Sequence, residues 1–320
     1  AHPLVRSICP GVTDSERSET VGTAVDAFVQ STGLDRQQLP AGDLASSQRA
    51  WDSLAAEVVR DRLLESANQV DRARLLAAGQ PHTAAWAQAV PVPCLGLHLD
   101  DETIRVAVAL RLGAPICEPH RCRLCARPVS ALGHHGLSCQ KSAGRHSRHA
   151  HLNDVVRRAL TSAGFPAILE PVGLDRGDGR RPDGLTVFPF REGKSLTWDA
   201  TCVDTYAEGV LMRSAIEPGA AARQAEARKR VRYADISQRH IFEPVALETS
   251  GVYGPAAAAF IADLGRRIST QTGERRETAW LRQRISIAIA RGNAASVLAT
   301  APCAVAESAN SGTRGAVACH

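Results

Sequence analysis

The chain has 320 residues, 44% of them hydrophobic and 22% charged, with a formal net charge of +5 and a pI near 8.8. This length supports one or two domains with a substantial core, and the mild cationic excess permits nucleic-acid binding without requiring it. Nine cysteines, three of them grouped with a histidine, fit a reducing intracellular compartment rather than a disulfide scaffold, and the absence of a signal peptide or an apolar run of about twenty residues argues against secretion and membrane insertion.

In chain order, residues 1–45 are polar and rich in turn formers, with a helix expected near 18–32 and poor order at the extreme terminus. Trp51, Leu54, Val58, Leu63 and Leu64 recur at helical spacing between Ser46 and about Ala78, and Ala73 to Ala77 reads as a second helix. Ile104 to Leu112 is an apolar helical run stopped by Gly113-Ala-Pro115. The preceding Asp100-Asp101-Glu102 reads as its N-terminal cap rather than as a metal site. A start at Ala1 and a lone methionine, Met212, suggest a fragment of a longer protein.

The next segment carries metal-ligand spacing. Cys122 and Cys125 form C-x2-C, and His135 and Cys139 follow with nine and three intervening residues; His134 offers an alternative spacing to Cys139. Four such donors within 18 residues suit a tetrahedral structural Zn²⁺ knuckle, with Cys117 as a further candidate ligand. Arg121, Arg123, Arg127, Lys141, Arg145 and Arg148 surround the knuckle and fit either phosphate contact or a solvated basic surface. His146, His149 and His151 read as phosphate contacts or solvated side chains, because helical spacing separates their directions.

Two short extended runs follow, 183–188 and 196–203, joined by a turn-rich connection from Phe190 to Ser195 that suits a hairpin. Alternation places Leu196, Trp198, Ala200 and Cys202 on one face and Thr197, Asp199 and Thr201 on the other. The hairpin would set Asp183 beside Asp199, and a pair of ionised carboxylates suits a hard cation such as Mg²⁺. The helix expected over 219–236 carries Lys229 on the same stripe as Ala222, Ala225, Tyr233 and Ile236. Its ammonium would either reach solvent or approach the carboxylates. Asn153, Asp154 and Glu170 are further candidates upstream, Asp204 and Glu208 read as loop surface, and Glu248 as a strand residue open to pairing with an arginine.

The order helix 147–163, strand near 167–172, strand 183–188, strand 196–203, helix 219–236, strand 241–248 resembles the core of PD-(D/E)XK, or restriction-like, nucleases. Pro182-Asp183 matches the first acidic element and Asp199 the second. Thr201 stands where the pattern expects lysine, and Lys229 with Tyr233 resembles the branch in which the lysine has moved to the following helix. With the knuckle upstream, and with His135-Gly-Leu-Ser-Cys139, Gly144-Arg-His, Arg181-Pro-Asp-Gly184, Trp198-Asp-Ala-Thr-Cys202 and Glu248-Thr, the chain resembles the C-terminal region of a non-LTR retrotransposon polyprotein carrying a restriction-like endonuclease.

The resemblance implies an α/β fold. A mixed central sheet flanked by helices (146–300) would follow a helical N-terminal and linker region (1–91) and a linker helix with the CCHC knuckle (92–145), with a disordered tail over 301–320. It implies a nuclear enzyme that nicks target DNA to prime reverse transcription, Asp183 and Asp199 binding catalytic Mg²⁺, Lys229 and Tyr233 assisting, and Glu170 a third carboxylate. Element RNA would be engaged through a polymerase region. No Tyr/Phe-x-Asp-Asp element occurs, so polymerisation is not expected of these residues. The alternative is a catalytically inactive, zinc-containing nucleic-acid-binding remnant, and a third reading is a zinc-dependent protein-interaction domain. After the core, helices are expected over 255–268 and 278–300, with an arginine-rich outside that fits DNA backbone contact or plain solvation.

Overall fold

Small residues and arginines dominate the helices of this chain, and one long apolar helix gathers them. The computed structural model describes residues 14–174 and 181–302, so the reading of a poorly ordered extreme N-terminus, and that of a disordered tail over 301–320 except for Ala301 and Pro302, lie outside the described residues. The chain is mixed helix and sheet and divides into two compact units, residues 1–68 and 69–320.

In the first unit, α1 (Asp14–Thr32) and α2 (Gln48–Ser66) form a small pair. The Phe28 and Trp51 rings meet edge to face at 4.9 Å, a favoured aromatic geometry. Arg62 donates to the Ser31 and Thr32 carbonyls and so caps α1 where the chain turns at Gly33. Leu63, expected on the packed stripe, is half exposed.

The second unit opens with α3 (Gln69–Ala78) and α4 (Asp101–Leu112). Asp100 caps α4 through a 2.8 Å bond from the Thr103 N–H, and Gly113 ends it in the left-handed region at φ 72°. A two-stranded ribbon, β1 (His120–Arg121) with β2 (Pro128–Val129), and the single turn α5 (His135–Ser138) build the cysteine-rich module. Then come α6 (Ala143–Ser162), β3 (Ala167–Leu169), β4 (Gly184–Thr186), β5 (Leu196–Val203), α7 (Glu208–Ser214), α8 (Ala220–Arg232), β6 (Ile241–Glu248), α9 (Pro255–Thr272) and α10 (Glu277–Leu298). The sheet runs β3-β4-β5-β6, with the first two pairings antiparallel and the last parallel across the α7–α8 connection.

Strand alternation assigns the two faces. Leu196, Trp198 and Ala200 join Val245 and Leu247 against α6, α9 and α10, where Leu152, Val156, Leu160, Ile261, Leu264 and Ile285 complete the main core. On the opposite face Ala222 and Ala225 of α8 rest on Ala246 and Val203, and methyl-sized contacts bring that helix close to the sheet. Asp199 lies on this second face, between α8 and the strand. The second helix of the hairpin region is shorter than its pattern implies: α8 stops at Arg232, and Tyr233 and Ile236 pack on Phe242 beyond its end.

Helix α10 is buried on three sides, by Leu281, Ile285 and Ile289 in the main core, Ile287 and Ala290 near Leu99, and Ala294 and Val297 near Leu137. Gly292 lets it cross α6 closely, since a Cβ there would meet the Arg148 Cβ at 2.4 Å. Arg148 itself is buried; it donates to Asn293 Oδ1 at 2.6 Å and to the Leu137 carbonyl at 3.2 Å, tying α6, α10 and the cysteine module together. It is therefore a structural cation, not one of the phosphate contacts its neighbourhood suggests. Arg123 is likewise engaged, donating to the Ala299 carbonyl at the end of α10. Among the described residues no helix is long and apolar enough to cross a membrane.

Candidate active site and metal centres

The Arg181-Pro-Asp-Gly184 segment enters the sheet one residue before β4. Asp183 already pairs with β5, its N–H donating to the Trp198 carbonyl at 2.9 Å, and its own carbonyl receives the Glu170 N–H at 2.8 Å. Gly184 faces Trp198 in register, and the space a Cβ would need is filled by the indole. The indole N–H donates to Asn153 Oδ1 at 2.9 Å. These contacts fix Asp183 beside Asp199 of the neighbouring strand.

At that point four side chains from four elements meet. Asp183 Oδ2 accepts the Ala200 N–H at 2.7 Å and lies 3.0 Å from His149 Nε2 of α6. Asp199, only 6% exposed, is ion-paired with Lys229 of α8. Ligand atoms of His149, Asp183 and Asp199 lie within 4.8 Å of one another. Tyr233 places its hydroxyl beneath the group, donating to the Arg181 carbonyl at 2.9 Å.

The two carboxyls are pushed in opposite directions. Burial raises Asp183, but the hydrogen bond and charge of His149, with the Ala200 N–H, outweigh it and hold this carboxyl below its ordinary range. Burial raises Asp199, and the Lys229 ammonium offsets only part of that cost. His149 is raised by its bond to Asp183, against the opposing effect of its own burial. A cation placed between the carboxylates would relieve the desolvation that both carry, and two carboxylates with an imidazole are a chemically suitable donor set for a divalent ion.

Several candidates from the sequence lie elsewhere. Glu170 is not part of this group: its side chain is 71% exposed and ion-paired with Arg181, and its backbone sits at φ 50°, turning the chain away at the end of β3. Asp154 points to the outer side of α6, where Arg157 and Arg158 hold it. Among the described residues no arginine pairs with Glu248. It is buried and accepts from the Ala221 and Ala222 N–H groups and from Thr205 and Ser250, capping the start of α8 from the end of β6. Asp204 is not loop surface either; it is buried and accepts from the Tyr206 N–H and the Thr249 hydroxyl.

His149 is the site residue that sequence reading assigned to solvent or phosphate. Its signal was present: the buried stripe Leu152, Asn153, Val156, Leu160 of α6, extended one turn toward the N-terminus, reaches position 149. The three-histidine cluster obscured it, because only one member lies on that stripe.

The cysteine module forms a second group. Cys122 Sγ lies 4.0 Å from Cys139 Sγ, Cys139 Sγ 3.8 Å from Cys125 Sγ, and Cys125 Sγ 3.1 Å from His135 Nε2. Thiolates on a tetrahedral zinc sit about 3.8 Å apart for Zn–S bonds of about 2.3 Å, so this cluster is compatible with zinc. His135 is the histidine in the group. His134 instead stacks on Tyr206, ring centroids 4.0 Å apart, where burial lowers its pKa to about 4. Cys117 is turned to the Ser130 and Ala131 carbonyls.

A scan against protein-family models finds none that matches this chain, and a search of curated proteins finds no similar sequence.

Proposed function

We propose that this chain is the metal-dependent DNA endonuclease portion of a non-LTR retrotransposon protein, with a restriction-like core and a zinc knuckle docked upon it. The observation that carries the reading is the meeting of Asp183, Asp199 and Lys229 at one point, from two adjacent strands and the helix behind them. The arrangement of a helix, three antiparallel-paired strands, a helix and a parallel strand supports the same fold family.

Asp183 and Asp199 would hold Mg²⁺, which when bound supplies charge for a phosphodiester oxygen and lowers the pKa of a coordinated water. The Lys229 ammonium, kept in place by Asp199, is positioned to orient that water and to stabilise charge on the attacked phosphate, doing from α8 what Thr201 cannot do from β5. Tyr233 holds the Arg181 carbonyl and with it the approach to Asp183. Gln140, Arg145, His146, His149 and Thr201 line an open pocket beside the site, where Arg145 could contact a DNA phosphate. A 3′-hydroxyl product, a nuclear setting and a role in priming reverse transcription belong to this reading through the family it resembles.

Incubation of the purified chain with supercoiled plasmid tests it. Open-circle product should form with Mg²⁺ or Mn²⁺, stop with EDTA, and be lost in Asp183→Asn and Asp199→Asn. Salt-sensitive DNA binding with no nicking under any metal would favour the inactive, nucleic-acid-binding remnant instead.

A further inference from the structure

The imidazole of His149 has no counterpart in a site built of carboxylates and one lysine, and its placement is specific. Its Nε2 faces Asp183 Oδ2 at 3.0 Å while the Asn153 amide nitrogen lies against the same ring, 3.3 Å from Nε2. Asn153 is in turn pinned by the buried Trp198 indole. Asn153 thus holds the ring along its edge, closer to Nε2 than to Nδ1. Neighbouring ligands on an octahedral ion with bonds of about 2.1 Å stand about 3 Å apart, which matches the separation of His149 Nε2 and Asp183 Oδ2. Lys229 meets Asp199 at Oδ1 and the Tyr233 hydroxyl also lies against this carboxylate, so an ion would share it with both.

We infer that His149 is the third protein ligand of the divalent-cation site, giving it one nitrogen and two carboxylate donors and a preference for Mn²⁺-type transition ions over Mg²⁺. Oxygen-only sites suit Mg²⁺, whereas imidazole binds first-row transition ions more strongly. The inference rests on the carboxylate site proposed above, but it concerns metal binding and is decided without any cleavage assay.

The experiment is Mn²⁺ binding to the full chain, zinc-loaded at the knuckle, followed by electron paramagnetic resonance with pulsed detection of ¹⁴N coupling. The parent chain should bind one Mn²⁺ at this site with the modulation of a directly bonded imidazole nitrogen. His149→Glu should retain the ion without nitrogen coupling and shift preference toward Mg²⁺. Even an outer hydrogen-bond partner of a ligand is worth about 10- to 100-fold in metal affinity, so His149→Ala should weaken Mn²⁺ by at least about tenfold and Mg²⁺ by less. His149 has a 44% exposed side chain, so neither replacement opens a cavity. Asp199→Asn should remove the ion.

Absence of nitrogen coupling in the parent, coupling that persists in His149→Glu, Mn²⁺ affinity unchanged in His149→Ala, or Mn²⁺ retained by Asp199→Asn would each overturn the assignment. Nitrogen coupling in a chain that nicks no DNA would keep the ligand and remove the nuclease. Nicking without nitrogen coupling would do the reverse.

Discussion

Replacing Gly184 by alanine perturbs the carboxylate site without touching a carboxylate. A Cβ at this position would lie 2.1 Å from both Cζ2 and Cη2 of Trp198 and 2.6 Å from Cζ3, far inside contact distance. The backbone of Gly184 is ordinary strand, so alanine brings no torsional strain, and by itself it would stabilise by about 0.4–1 kcal/mol through the unfolded chain. The indole cannot yield easily, being fully buried and hydrogen-bonded to Asn153. Overpacking of this kind costs about 1–3 kcal/mol, which wins over the entropic gain. For a folding unit of this size the net loss corresponds to roughly 2–8 °C in melting temperature.

Because Gly184 pairs with Trp198, relief requires β4 to move off β5, carrying Asp183 away from Asp199. Thermal unfolding and Mn²⁺ titration of Gly184→Ala should therefore both fall. In Gly184→Ala/Trp198→Phe the smaller ring should make the double loss less than the sum of the singles. A Gly184→Ala variant with parental melting temperature and metal affinity would refute the packing argument.

Lys229→Met should lower the melting temperature, since it leaves the buried Asp199 carboxylate without its ammonium partner, and reduce plasmid nicking by about 10²–10³-fold, the worth of one well-placed charge-stabilising donor; undiminished nicking in the folded variant would take the lysine out of the chemistry. Chelation of the knuckle metal, or Cys139→Ser, should release one zinc per chain in a colorimetric assay and lower the melting temperature of the whole second unit, because the module is anchored to α10 through Arg123 and to α6 through Arg148. Glu248→Ala should cost about 2–4 kcal/mol in urea unfolding by leaving the Ala221 and Ala222 N–H groups without their acceptor. Burial raises the Glu248 carboxyl, so the folded chain holds this proton more tightly than the unfolded chain does. Its contribution is complete below the unfolded value of about 4.3 and declines as pH rises through the folded one; Glu248→Gln should remove that slope from urea midpoints measured across the range.

The parts of the site that were legible in the sequence are those set by local periodicity. Alternation in Leu196 to Val203 separates Asp199 from Trp198, the turn residues at 190–195 bring Asp183 alongside, and helical spacing puts Lys229 over Ala222 and Ala225. The rest depends on contacts distant in sequence. Glu170, on or near the strand expected over 167–172, is a candidate third carboxylate through the family resemblance, but a left-handed backbone at that residue turns it outward to Arg181. Glu248 reads as a strand residue open to pairing with an arginine, because nothing in its strand reveals that the start of α8, 26 residues earlier, lies across its end. Arg148 appeared to be one more surface cation, and only the glycine at position 292 and the amide of Asn293 show why it is enclosed.

A crystal of the full chain with Mn²⁺ and a short DNA duplex, measured at the manganese absorption edge, addresses the carboxylate pair most directly. An anomalous peak within about 2.2 Å of one oxygen from each of Asp183 and Asp199, facing a backbone phosphate, is the expected result. A site at which the two carboxylates bind no common ion, or a duplex that lies on another face of the molecule, would contradict it.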